Sequence, residues 1–298
     1  MCCFVALAVL TLTALFLVYR ETRWPQLTVI QLGDPDDSGE PVVILHLADL
    51  HGQLFGKDQE HIRNLIAGKE VDVVVLTGDL VDEHTTSIEP LNSLLECLPE
   101  APRFFVPGNH DKIAPVTREL YASLSKYGVT ILDNKKVSLS KKGKRVSIVG
   151  LDDPYLGTPN PELLTGHGAS EGELSILLCH APTFGNRAVA QFKDTWDSCS
   201  KEVATSQKPR FTSGSVLELA SRHDFDLVLA GHTHGGQIKI PGLGAVFVPG
   251  QGFPPKYVEG VYRIGSTTMF ITRGLGTSRL PVRLFSRPEV AIIRWFTA

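Results

Sequence analysis

The chain has 298 residues, 43% of them hydrophobic, with a net charge of −3 and a pI near 6.4. That composition excludes a disordered or fibrous chain, and the missing basic surplus argues against a nucleic-acid partner. The cysteines Cys2, Cys3, Cys97, Cys179 and Cys199 are odd in number, unevenly spaced and without a C-x-x-C pair. Any metal is therefore expected on nitrogen and oxygen, not on thiolate.

From Cys2 to Tyr19 there is no charge, and Arg20 and Arg23 follow directly. As a helix that run would span about 27 Å, close to the hydrocarbon thickness of a bilayer. The missing positive n-region and the lack of an A-x-A-like site closing the run speak against a cleaved signal peptide. Tyr19 and Trp24 suit a membrane interface. Residues 1–23 are thus expected to be a single-pass membrane anchor, with the basic flank leaning towards a cytoplasmic placement of the domain that follows. Residues 24–40 read as an edge strand, "LTVIQL", and a turn-rich acidic linker.

From residue 41 to 298 one domain is expected. Strand-like runs are "VVILHLAD", "VDVVVLTGD", "PRFFVPGN", "RVSIVGLDD", "LSILLCHAP" and "FDLVLAGHTH". Helical patterns lie between several of them: Ile62, Leu65 and Ile66 share a face, as do Leu91, Leu94, Leu95 and Leu98. Pro115 suits a helix N1 position ahead of Val116, Leu120 and Leu124. Strand–helix alternation predicts an α/β fold with parallel pairs. The basic hairpin-like "KKVSLSKKGKRVSIV" and the strand-rich tail predict a second, more antiparallel sheet.

The apolar runs end in polar clusters: Asp49-Leu50-His51, Gly78-Asp79, Gly108-Asn109-His110-Asp111, His180 and Gly231-His232-Thr233-His234. Ligands of open α/β sheets bind beyond the carboxyl ends of strands. In extended backbone the alternate residues Asp49 and His51 would point to one side and could reach one ion. His232 and His234 would share that spacing but, as the chain leaves its strand, could diverge onto neighbouring ions. Glycines 231, 235 and 236 would let the backbone turn closely beneath them. His46 and Cys179 fall out of phase and should face away.

Asp49, His51, Asp79, Asn109, His180, His232 and His234 form a carboxylate, imidazole and amide set that suits Mn²⁺, Fe or Zn²⁺. It is too large for one ion with an open position and fits two divalent ions sharing a carboxylate.

The series DxH, GDxxD, GNHD, an isolated His after an apolar strand, and GHTHGG resembles the calcineurin-like metallophosphoesterases. "GHTHGGQIKIPGLGAV" and "TRGLGTSRLPVR" further resemble a membrane-associated bacterial branch that includes lipid-phosphate and UDP-2,3-diacylglucosamine pyrophosphatases. The resemblance implies a four-layer α-β-β-α sandwich of two mixed sheets with helices outside. It implies that Asp49, His51 and His234 hold one metal, that Asn109, His180 and His232 hold the other, and that Asp79 bridges them. A bridging hydroxide would attack phosphorus of a phosphoester or pyrophosphate in a small-molecule or lipid-linked substrate. His110 would protonate the leaving group, with its tautomer fixed by Asp82, while Asp111 braces the loop. A broad phosphodiesterase or a non-catalytic scaffold is the alternative. The stretch 185–214, carrying Phe192, Trp196 and Phe211, departs from the family pattern and is expected to be an inserted loop or lid.

Overall fold

A computed structural model describes residues 2–33, 39–165, 172–185 and 214–296. The expected lid falls almost wholly on 186–213 and lies outside the described residues.

Helix α1 (Cys2–Arg23) precedes everything else, and strand β1 (Gln26–Gly33) follows it. The first sheet then takes β2 (Val42–Leu47), β3 (Val73–Leu76), β4 (Arg103–Phe105) and β5 (Val129–Ile131). Helices α2 (Glu60–Ile66), α3 (Glu89–Cys97) and α4 (Thr117–Lys126) connect them. The second sheet takes β6 (Lys135–Lys141), β7 (Lys144–Gly150), β8 (Glu173–Leu178), β9 (Leu227–Ala230), β12 (Gly260–Ile264) and β13 (Thr267–Ile271). Helix α5 (Val216–Ser221) leads into β9, and β10 (Lys239–Ile240) with β11 (Gly244–Ala245) forms a small ribbon. Strand β14 (Glu289–Phe296) ends the chain.

The sheets run β1-β14-β2-β3-β4-β5 and β12-β13-β9-β8-β7-β6. Both sheets are mixed, and the second is the more antiparallel, with two antiparallel pairs against one in the first. The second sheet's inner pairs β7·β8, β8·β9 and β9·β13 are parallel, and only the edge pairs β6·β7 and β12·β13 are antiparallel. The tail strand β14 joins the first sheet, parallel to β1 and antiparallel to β2. Hydrophobic pattern identifies a strand but not its partner, so this assignment needed the assembled sheets.

Period-two alternation builds the layers. Ile44, Val75 and Phe104 face Ile148, Ile176 and Leu229 between the sheets. Their neighbours Leu45, Leu47, Val74 and Phe105 face outward against Leu91, Leu94, Leu120 and Leu124 of α3 and α4. On the other side Val149, Leu177 and Cys179 pack on Val216, Leu219 and Ala220 of α5. Burial on both faces explains why the central strands are continuously apolar. Helix α5 is stopped at its start by Ser215, whose Oγ accepts the Glu218 N–H at 3.1 Å. Helix α4 begins at Thr117, so Pro115 lies before it and not at its first turn.

Candidate metal centre

Every residue of the expected ligand set sits just beyond the carboxyl end of a strand. β2 ends at Leu47 before Asp49, β3 at Leu76 before Asp79, β4 at Phe105 before Asn109, β8 at Leu178 before His180, and β9 at Ala230 before His232. Asp49, His51 and His234 form one buried cluster with ligand atoms within 4.8 Å of one another; Asp79, His180 and His232 form a second. Asp79 joins the two. Its Oδ2 is 3.0 Å from His180 Nε2 and 3.8 Å from His51 Nε2. His232 and His234, two apart in sequence, do part onto different clusters.

The backbone does this differently from the extended register expected. Asp49 (φ 55°), His51 (φ 48°), Asp79 (φ 52°), His232 (φ 72°) and His234 (φ 52°) are all left-handed. Such residues cost energy and persist only where their surroundings over-determine them. Here they do: Asp49 N–H donates to Gly78 O (2.9 Å), His51 N–H to Asp79 O (3.0 Å), and His232 N–H to the Asp49 carboxylate (3.0 and 3.1 Å). These left-handed turns, not an extended register, aim the side chains at the clusters.

Two glycines make room. A Cβ on Gly108 would fall 2.2 Å from Asp79 Oδ1, and one on Gly231 would fall 2.7 Å from Asp49 Oδ2. Asp111 braces the loops as expected: its carboxylate accepts N–H groups of Asp79 (2.7 Å), Leu80 (2.8 Å), Val81 (3.2 Å) and Gly108 (2.9 Å). Burial, aided by the Asp79 charge, pushes its carboxyl up to about 7.

The donor set fits divalent cations. His51 Nε2, His232 Nε2 and Asn109 Oδ1 are buried without a hydrogen-bond partner, a costly state that a cation relieves. Burial lowers His232 to about 3 and, with the His51 and Arg283 charges, holds His234 well below its ordinary value; both rings are therefore neutral, the ligating form. His180 Nε2 and His232 Nδ1 stand 3.0 Å apart, so they cannot both carry protons. Burial opposes charge on His180, yet the Asp79 carboxylate outweighs it and raises that ring to about 10. Burial raises Asp79 as well, but His180 and His51 hold it far below the usual carboxylate range.

Outer partners orient the rings. Thr77 O lies 2.8 Å from His180 Nδ1, aiming Nε2 at the cluster. Asp82 Oδ2 lies 3.3 Å from His51 Nδ1. Asp82 was expected to fix His110; it faces His51 instead, and His110 Nδ1 is 2.6 Å from Glu83 Oε2. The loop after Asp79 hands these adjacent carboxylates to different rings. His110 also donates its backbone N–H to Asp79 Oδ1 at 2.9 Å.

Sequence reasoning missed Glu83 and two further residues. Arg283 is fully buried, donating to Gly276 O (2.9 Å), Ser286 O (3.0 Å) and His234 O (3.2 Å), with Nη2 3.3 Å from His234 Nδ1. Its only sequence signal was its place in "TRGLGTSRLPVR". Tyr155 stacks on His232 with ring centroids 4.9 Å apart and gave no signal beyond following an aspartate pair. His46, by contrast, is buried between the sheets, with Nε2 2.8 Å from Thr77 Oγ1 and away from the cluster.

Comparison with known proteins agrees with this geometry. The family described as calcineurin-like phosphoesterase matches residues 42–236. The uncharacterized metallophosphoesterase YkuE of Bacillus subtilis is 32% identical over 74% of this chain, which spans 66% of that protein's length. Phosphodiesterase YaeI of Escherichia coli is 30% identical over 93% of this chain and 91% of its own length. A bovine transmembrane protein with a metallophosphoesterase domain is 27% identical over 96% of this chain and 61% of its own length.

Proposed function

The chain belongs to the calcineurin-like phosphoesterase family, and from that premise we propose that it hydrolyses a phosphodiester or pyrophosphate carried by a membrane amphiphile. The observation that carries the hydrolytic reading is the pair of buried three-residue clusters with Asp79 between them. Asp49, His51 and His234 would hold one divalent ion, Asn109, His180 and His232 the other, and Asp79 both. Bound ions would supply a Lewis-acidic clamp for phosphoryl oxygens and a water made nucleophilic near neutral pH. The protein's own residues do the rest. Thr77 O fixes the ring of His180 and the Asp82 carboxylate faces that of His51, and the four N–H groups on Asp111 hold the two loops in register. His110, partly exposed beside the cluster, donates a proton to the leaving oxygen, with Glu83 fixing its ring.

The amphiphile follows from α1. The most apolar window of Phe4–Arg23 has a mean hydropathy of 1.8 and is not buried in the fold, Thr22 at the helix base being the buried residue of that span, which suits a membrane anchor. A lipid-linked diester or a UDP-diacylglucosamine-like pyrophosphate is then within reach of the site. Full-length protein loaded with Mn²⁺ should cleave bis(p-nitrophenyl) phosphate. Failure with every one of Mn²⁺, Fe²⁺ and Zn²⁺ would remove the hydrolase reading.

A further inference from the structure

The base of α1 is fastened to the loop that reaches the metal cluster. Thr22 Oγ1 accepts the Arg283 N–H at 2.9 Å, and the Arg287 guanidinium donates to Trp24 O at 2.9 and 3.1 Å. That loop runs beside the segment entering β10. Leu284 N–H donates to Gln237 O and Lys239 N–H to Leu284 O, each at 3.0 Å. Between them opens a cleft of about 270 Å³ that reaches His234 and is walled by Val246, Phe247 and Leu280, with Arg279 at its edge. Outside the cleft, large apolar side chains stand in water: Leu243 is 57% exposed and Phe285 57%. They lie on segments joined by the Ile238–Leu284 pairing, beside the exposed cleft-wall side chains Val246, Phe247 and Leu280, and exposed apolar patches of that kind mark interaction surfaces.

The hydrogen bonds at Thr22 and Trp24 decide what covers them. Wherever α1 enters a bilayer, its base brings the 279–287 loop and the β10–β11 hairpin to the same interface. We infer that Leu243 and Phe285 form a lip seated in that interface, and that the cleft behind them admits the apolar part of an amphiphilic phosphodiester from the bilayer to the metal cluster. This rests on the hydrolase reading above and on α1 as an anchor.

The test uses full-length, Mn²⁺-loaded protein reconstituted in phosphatidylcholine vesicles and two substrates with one leaving group. These are bis(p-nitrophenyl) phosphate in solution and phosphatidyl-p-nitrophenol in the membrane. Leu243→Asp and Phe285→Asp, both outside the cleft wall, should each slow the vesicle-borne ester by about tenfold or more, the loss expected when one Leu or Phe forfeits its burial. The soluble ester should be unaffected. Equal loss on both substrates, or loss on neither, overturns the inference. A wild-type protein that cleaves the soluble ester but is extracted from vesicles by carbonate overturns it through the anchor. Inactivity of the wild type on both esters would instead strike the hydrolase reading.

Discussion

Glu83 Oε2 lies 2.6 Å from His110 Nδ1, while the adjacent Asp82 turns its carboxylate to His51 Nδ1 at 3.3 Å. Two neighbouring acids thus serve two different imidazoles, one beside the paired clusters and one within them.

That division predicts separable phenotypes. His110→Ala should keep both ions and cut kcat by about 10²–10⁴, the usual worth of general acid–base catalysis. Glu83→Gln should lower kcat less, again with full metal content. Asp82→Asn should weaken the ion on His51 by about 10–100-fold, as expected when the outer partner of a ligating histidine is lost. Metal analysis beside steady-state kinetics on an aryl phosphodiester distinguishes them; metal loss in His110→Ala would reassign that residue as a ligand.

Asp79 lies within reach of His180 at 3.0 Å and His51 at 3.8 Å. Asp79→Asn should therefore lower the occupancy of both ions together. In wild-type protein, chelation should depress the Tm and Mn²⁺ should restore it in a concentration-dependent way, because ligands that bind only the folded state stabilise it by mass action. Calorimetric titration of the variant with Mn²⁺ is the readout, and one site retained at full affinity would deny the bridge.

Asp111 is fully buried and accepts four backbone N–H groups from two loops. Asparagine keeps the shape but sets an NH₂ against those donors. Asp111→Asn should cost about 3 kcal/mol of stability, the scale for leaving buried donors unpaired. Urea unfolding at pH 7 measures it, and an unchanged midpoint would show that the loops stand without this brace.

Burial holds His46 at about 3, against an ordinary 6.5, so the folded state keeps it neutral where the unfolded chain takes up a proton. A depressed folded pKa gives stability that is whole above 6.5 and declines as pH falls towards 3. The slope is about 1.4 kcal/mol per pH unit, or about 2 kcal/mol lost at pH 5. His46→Gln retains a partner for Thr77 but not this titration. The fall in urea midpoint between pH 7 and pH 5 should be smaller in the variant than in the wild type; equal falls would mean that His46 is protonated in the folded protein.

The seven candidate ligand positions stood out because each lies at the end of an apolar run, and short polar clusters in such places have few purely structural uses. The N-terminal apolar helix and the α/β alternation were legible for a similar reason: both are written in local hydrophobic pattern. Local pattern has no access to geometry between distant segments. Extended backbone was the natural expectation for Asp49 and His51, yet their N–H groups donate to the Gly78 and Asp79 carbonyls and both sit in left-handed turns. Asp82 and Glu83 are adjacent acids in the sequence, and only the path of the loop decides which faces which ring. Arg283 looks like an ordinary surface arginine, yet carbonyls converging from several loops solvate its guanidinium in full burial. The sequence by itself determined which side chains could grip a pair of cations. The tertiary structure decided how they are aimed, because the aiming groups are mostly backbone amides and carbonyls, which every residue carries alike and no residue type announces.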